Sequence, residues 1–420
     1  MSKFLKYFIL VTFILISGYG NNFLTSLTFL GFITVTAFLS FLIYSYSQQY
    51  LLKLVFGITS FLFVYSLGLL FSRSELPNIY FLGRYVLLFF FVAFLIRFVK
   101  IDLWRKFENI IFVFVVISLI FSVLQLLFPN YFIPFVRFVD SFFNSENIYS
   151  TNRMYYYNCI VYTINQNSIE LVDFRNCGFA YEPGFYSLFI NIGLIIEWIK
   201  SKKIISAKSI IYIIALISTF STTGFIIFIL SAIFLIYFFR VKTKLIYIPL
   251  VLSVLFVFLN SSIGINKINR LLKDSITFSD ADNKAFSNPD ILVSLGRIEG
   301  FTYLFSETIN TSPLFGFVRN IESYNNNIGN PSGAGRLFYN WGLIGFLLSI
   351  FCFWVSSKQF SYQISGRKNF KLYLMFFSIF VIYLFSFPMT NTPIFFLFLF
   401  YGILVLTKYR SNNYESTYYL

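Results

Sequence analysis

Apolar runs of about 17–25 residues, the length an α-helix needs to cross a bilayer's hydrocarbon core, recur from one end of the chain to the other. The pattern predicts spans at roughly 4–19, 23–45, 52–72, 81–98, 109–128, 178–198, 207–220, 223–239, 244–260, 338–356, 371–387 and 391–407. Most connections are short, as in a compact bundle. Two are long, 129–176 and 261–337, and loops of that size are usually functional or disordered. The first holds RMYYYNCIVYTI and IELVDF around NQNS, which predicts a surface hairpin turning at NQNS. The second holds INKINRLLKDSI and ILVSLGRIEGFTYLFSETI, both apolar at helical spacing, with the polar SDADNKAFSNPD between them. The chain therefore divides into N-terminal transmembrane helices (1–128), a first loop (129–177), central helices (178–260), a second loop (261–337), and C-terminal helices with a tail (338–420). No internal repeat is visible, and Arg84 and Glu197 lie near the ends of their runs, where they can snorkel. Repeats and mid-membrane charges are the usual marks of coupled transporters, so that class is disfavoured.

Composition agrees with the pattern. Hydrophobic residues make up 58% and charged residues 12%, with mean hydropathy +0.75. Soluble domains have roughly 45–50% and about 25%. The expected fold class is all-α, a polytopic membrane helix bundle of about 12 transmembrane helices with two large periplasmic loops. The 61 phenylalanines fit coding bias plus lipid tolerance better than an aromatic binding platform.

A formal charge of +15 suggests an acidic partner only until the charges are placed. With the N-terminus inside, one set of loops collects Lys3, Lys6, Lys53, Arg97, Lys100, Arg105, Lys106, Lys200, Lys202, Lys203 and Lys208. Arg240, Lys242, Lys244, Lys358, Arg367, Lys368, Lys371, Lys408 and Arg410 join them, while few of the acids do. This is the positive-inside pattern and no sign of nucleic-acid binding. It predicts both termini in the cytoplasm. Lys3 and Lys6 ahead of an apolar stretch ending Gly18-Tyr19-Gly20 also fit a cleavable signal peptide, the less favoured reading.

The chain has no histidine, which removes Ser-His dyads, His-ligated metals and imidazole bases. No metal site is expected. Cys159 and Cys177 share the first loop, where a disulfide and two free thiols are equally open, and Cys352 falls in a span. Candidate chemistry then rests on the outer face. Arg175, Arg297, Arg319 and Arg336 each adjoin or closely precede Gly or Asn. A guanidinium fork can grip phosphate oxygens while glycine admits the backbone. The plainer alternative pairs Arg175 with Asp173, Arg297 with Glu299 and Arg319 with Glu322. In RNCGFAYEPGF, Pro183 suits a helix's first turn, and Glu182 is either a favourable charge at its positive end or a base. The hydroxyls of Ser221-Thr222-Thr223-Gly224 suit helix caps, and Asn330 to Arg336, NPSGAGR, suits an anion nest.

RNCGFAYEPG at the start of a span, TFSTTG at a tight turn, LGRIEGF in a large loop and FYNWGLIGFLL after it together resemble the O-antigen polymerases (Wzy type), bacterial inner-membrane glycan polymerases. The resemblance implies transfer of a growing oligosaccharide from undecaprenyl pyrophosphate to the terminal sugar of a new lipid-linked repeat unit, on the periplasmic side. It implies a glycosyltransferase with no cofactor, no nucleotide sugar and no required metal, and a chain-length regulator as partner. Arg175 and Arg297 match the family's arginines best and would be catalytic, with Glu182 as base. Arg336, Arg319 and Asn330 would bind substrate. O-antigen ligases share the architecture but carry a functional histidine in the large loop, where this chain reads GNPSGAGRLFYN. A lipid-linked oligosaccharide flippase and a non-enzymatic export subunit are the other readings.

Overall fold

In the computed structural model, the structure describes residues 2–18, 26–46, 79–99, 103–143, 156–165, 174–203, 205–238, 297–317, 332–366, 369–387 and 389–405, with isolated positions at 24 and between 48 and 62. The apolar runs fold as helices: α1 Ser2–Gly18, α2 Leu27–Ser45, α3 Ile79–Val99 and α4 Leu103–Leu127. After α5, Pro129–Phe143, come two short strands, β1 Tyr156–Asn158 and β2 Thr163–Asn165. Then follow α6 Pro183–Ser201, α7 Ala207–Thr219, α8 Thr222–Phe238, α9 Arg297–Thr311, α10 Gly333–Ser365, α11 Phe370–Ser386 and α12 Pro393–Val405, with a 3-10 turn at Met389–Asn391. Among the described residues, four helices are long and apolar enough to cross a membrane: Leu27–Tyr44 and Leu82–Val99 within α2 and α3, and the whole of α4 and α10. The run at 244–260 lies outside the described residues, as does most of 52–72.

Local chemistry sets the helix ends. Ser26, Ser206, Ser332 and Asn369 cap α2, α7, α10 and α11 by accepting from amides two or three residues on, and Pro183 opens α6. Phe220 ends α7 in the left-handed conformation at φ 45°.

Helix α6 is the axis of the bundle. Its residues 183–199 are all buried, enclosed by α4, α7, α8 and α10. A second group packs α10 against α11 and α12, with α12 leading to α3 and α3 to α2. Aromatic rings fill the seams edge-to-face, as in Phe89–Phe400 at 4.9 Å and 87° and Phe353–Phe395 at 5.6 Å and 85°. Large apolar side chains also point outward, including Phe32, Ile120, Leu347 and Phe351. Helices surrounded by hydrocarbon gain little by hiding such residues, so shape and internal hydrogen bonds hold them together.

Two parts of the first long loop differ from the sequence reading. The hairpin turns at Cys159–Tyr162, inside RMYYYNCIVYTI, and pairs Asn158 with Thr163. Asn158 causes this: its Oδ1 accepts from the Ile160 amide at 2.7 Å and its Nδ2 donates to Thr163 Oγ1 at 2.7 Å. Such an Asx turn makes its own bend without Gly or Pro. It leaves Ile160 at φ 68°, with the Val161 amide donating to the Cys159 carbonyl across it. Residues 166–168 of NQNS lie outside the described residues. Ahead of the hairpin, α5 occupies sequence read as loop, with Pro134 inside the helix.

Helix α10 is broken. Gly342 sits at φ 61°, ψ −165°, a region essentially reserved for glycine. The segment 313–317 fills the break: the Phe317 amide donates to the Tyr339 carbonyl at 2.8 Å, and the Leu343 and Ile344 amides donate to Pro313 at 2.8 Å and Leu314 at 3.2 Å. The Tyr339 carbonyl and the Leu343 and Ile344 amides are thereby paired, as irregular backbone away from water requires. The motif FYNWGLIG is this break, and the helix therefore starts at Gly333, five residues ahead of the predicted 338.

At one end of the bundle, here the lysine end, the fully buried Glu108 of α4 takes Lys200 at 2.9 Å and Lys208 at 3.2 Å. Its backbone carbonyl accepts from Tyr212 Oη at 3.1 Å. Glu197 accepts from the Ser206 hydroxyl at 3.0 Å. Both lysine side chains are about one-third exposed, whereas the glutamate side chain is sealed. Removing the lysines should therefore cost far more than removing the acid. We expect the Lys200→Ala/Lys208→Ala double variant to lose about 3–5 kcal/mol by stranding a buried charge. Glu108→Gln, which lets both lysines return to water, should lose much less. Thermal unfolding in detergent checks the order; equal losses would contradict it.

Candidate functional site

The opposite, arginine end gathers most of the residues singled out from the sequence. Residues 174–182 enter it as a tightly held loop. The buried Asn176 fixes the loop: its amide donates to the Ser218 carbonyl at 2.9 Å, its Nδ2 to Ser118 Oγ at 3.3 Å and Ser218 Oγ at 3.0 Å, and its Oδ1 accepts from Gly178 at 2.9 Å. The loop is also tied to the hairpin, Thr163 amide to Gly178 carbonyl at 2.7 Å, and to the end of α1, Tyr181 amide to Gly18 carbonyl at 3.0 Å.

Arg175 is half-buried beside Asn176. Its Nε donates to the Thr219 carbonyl at 3.2 Å and its Nη2 to the Phe220 carbonyl at 3.2 Å. These are the terminal carbonyls of α7, where a cation also opposes the negative end of the helix. Asp173, the partner weighed from sequence, lies outside the described residues. Glu182 is the residue ahead of α6; its side chain makes no capping bond, and its Oε1 accepts from Tyr181 Oη at 3.4 Å.

Three helix N-termini meet here. Glu182 and Pro183 open α6, Ser221 opens α8 with its Oγ accepting from Gly224 at 3.1 Å, and Ser332 opens α10 with its Oγ accepting from Gly335 at 2.9 Å. The C-terminus of α11 joins them. Thr223 Oγ1 donates to Ser386 Oγ at 3.1 Å. A Cβ on Gly184 would fall 2.3 Å from the Phe387 ring, and one on Gly333 would fall 2.0 Å from the Phe387 carbonyl. These contacts bring all three starts around Phe387. Amide-bearing helix ends carry partial positive charge, and three of them against the one carbonyl-bearing end of α11 leave a net preference for an anion. The Ser221 hydroxyl of STTG does cap, as the plainer reading held, and the Thr223 hydroxyl instead ties the cluster to Ser386.

Below these ends runs a buried polar chain: Ser187 Oγ meets Ser221 Oγ and Tyr383 Oη, both at 3.3 Å. Asn191 Nδ2 donates to Tyr383 Oη at 3.0 Å and to the carbonyls of Ser187 and Gly224 at 2.9 and 3.1 Å. Sequence reasoning missed Asn176, Asn191 and Tyr383. Ser187 and Asn191, four apart in an apolar run, share one helix face, which was the available signal.

Arg336 lies on the first turn of α10, half-buried. Arg297 is the first residue of α9, whose Phe301 and Leu304 lie against Gly335. The structure thus places the backbone of all three arginines on elements that reach this end. Arg319 and Asn330 lie outside the described residues.

Cys159 and Cys177 are free and buried. Burial pushes the Cys177 thiol up to about 12; Arg175 opposes that rise and Glu182 adds to it, so both charges bear on this sulfur. Burial likewise pushes Cys159 up to about 11, against the pull of the Tyr162 backbone. Thiolate is the reactive form, so both thiols should stay unlabelled by maleimide at pH 8 and react only on unfolding. Mass spectrometry of native and denatured protein checks this; rapid native labelling would contradict the packing.

No family model matches the chain, and no curated protein and no solved structure matches it either.

Proposed function

We propose that the chain is a membrane-embedded glycan polymerase of the O-antigen polymerase type, acting on undecaprenyl-pyrophosphate-linked oligosaccharides at the arginine end. The observation that carries this reading is the meeting of three helix N-termini beside the half-buried Arg175, with Arg336 on the first turn of one of them. That combination suits a doubly charged leaving group better than a neutral ligand.

On this reading the arginine end faces the periplasm and the lysine end the cytoplasm, following the positive-inside pattern. The chain then spans the bacterial inner membrane about twelve times, with both termini inside. The acceptor hydroxyl oxygen attacks the anomeric carbon of the donor glycan. The bond from that carbon to the pyrophosphate oxygen breaks, and its electron pair leaves with undecaprenyl pyrophosphate. The acceptor's proton passes to a carboxylate, for which Glu182 is the candidate. Charge grows on the leaving oxygen as the bond breaks, and preorganised donors at that oxygen stabilise the transition state without proton transfer. Arg175, held by two carbonyls, is such a donor group; Arg297 is the second catalytic candidate, and Arg336, Arg319 and Asn330 would hold the substrate. A chain-length regulator is the expected partner.

A surface-glycan ladder from a strain lacking the chain tests the reading. Loss of long chains while a single repeat unit still reaches the lipid A core is the expected result. Loss of that single unit as well would overturn it in favour of a flippase or a ligase.

A further inference from the structure

Helix α5 has three faces where an ordinary surface helix has two. Phe132, Val136 and Val139 pack inward, with Phe132 meeting Phe121 and Tyr162 of the hairpin cluster. Tyr131, Phe135, Phe138 and Phe142 form a second stripe, spaced so that one helix face carries all four, and they are 51–81% exposed. Asn130, Arg137 and Ser141 form a third arc, also exposed but polar. Four exposed aromatic residues in line would be a serious liability in water.

What covers them is indicated by the preceding helix. Helix α4 carries its own outward apolar stripe, Val113, Ile120, Val123 and Leu127, all about half exposed or more, and α4 is one of the helices suited to cross a membrane. Only Phe128, itself 54% exposed, separates α4 from α5. The exposed apolar stripe of the spanning helix is thus followed in the chain, after Phe128, by the exposed aromatic stripe of α5 at the end of the span. A helix with an aromatic face, a polar face and a position at the end of a span lies in the plane of the headgroup–acyl boundary. Tyrosine and the rings beside it are suited to that level.

We infer that α5 is an interfacial anchor whose Tyr131, Phe135, Phe138 and Phe142 insert into the acyl chains of the leaflet at the arginine end, while Asn130, Arg137 and Ser141 meet headgroups and water. The anchor has a mechanical connection to the candidate site. Asp140 of α5 accepts from the Asn158 amide at 3.0 Å, Arg137 lies 4.6 Å over the Tyr157 ring, and the same hairpin holds Gly178 three residues from Arg175. The depth of α5 therefore sets the height of the Arg175 loop above the hydrocarbon. This inference needs only the membrane-spanning character of α4, so it can stand or fall apart from the proposed activity.

Nitroxide labels at Phe138→Cys and Ser141→Cys, in a Cys352→Ser background that leaves only the two buried native thiols, test it in reconstituted bilayers. Both sites are exposed, so neither label should disturb folding. Power saturation should give a ratio of oxygen to nickel-chelate accessibility several-fold higher at 138 than at 141. Equal ratios, or a water-dominated ratio at 138, would place the stripe in solvent and overturn the inference. Low accessibility to both reagents at 138 would show protein over the stripe and overturn it equally.

Discussion

Gly342→Ala should leave little folded protein. The residue's φ and ψ alone cost a non-glycine side chain about 1–3 kcal/mol. A Cβ there would also lie 2.4 Å from both the Leu314 carbonyl carbon and its oxygen, and 2.5 Å from the Gly316 amide. Those atoms cannot yield, because the same backbone supplies the Pro313 and Leu314 carbonyls that pair Leu343 and Ile344. Moving the loop to make room would strand those amides and release Phe317 from Tyr339. Fluorescence-detected gel filtration in detergent should show aggregated or degraded Gly342→Ala, and Gly316→Ala, at φ 69° with a Cβ 2.5 Å from the Tyr339 carbonyl, should behave alike. Gly31→Ala and Gly83→Ala serve as controls: nothing lies within 4 Å of either Cβ, and helical alanine costs less than glycine. Native-like elution of Gly342→Ala would refute the broken-helix account.

Arg175→Ala should abolish glycan polymerisation while the protein still accumulates. Structurally it removes two charge-assisted bonds to α7, about 1.5–3 kcal/mol apiece at most and less where water replaces them. Asn176 continues to hold the loop by its four bonds. Catalytically, removal of one donor to developing charge costs about 10²–10³ in rate. Arg175→Lys separates the two roles. A lysine restores a charge near the α7 carbonyls but not the planar fork. Protein level should recover fully in Arg175→Lys and the ladder should not. A wild-type ladder from Arg175→Ala would confine this residue to capping α7.

Helix existence was legible in the sequence because a run of apolar residues leaves the backbone no other partner in hydrocarbon. Predicted and observed boundaries of α1, α2, α7, α11 and α12 agree within a few residues on that ground. The break at Gly342 was not legible, since it depends on 313–317 arriving from a distant segment. The hairpin was legible in kind but not in place: NQNS is turn-like in composition, whereas Asn158 acts through a side-chain bond to Ile160. At the candidate site, Arg175 could be chosen from its neighbours, but its two carbonyl partners belong to another helix. The convergence around Phe387 is tertiary too, and no spacing along the chain announces it. Helix α5 was missed although Phe132, Phe135, Val136, Val139 and Phe142 recur at helical spacing, because Arg137 and Asp140 interrupt the run and leave it without the unbroken apolar length of a span.

The most direct test of the central claim uses the purified protein in liposomes with a synthetic undecaprenyl-pyrophosphate-linked repeat unit as sole substrate. Our account predicts a ladder of lengthened lipid-linked glycans, one undecaprenyl pyrophosphate released per bond formed, and neither product from Arg175→Ala. Repeat units that remain single and intact with the wild-type protein and native substrate would contradict it.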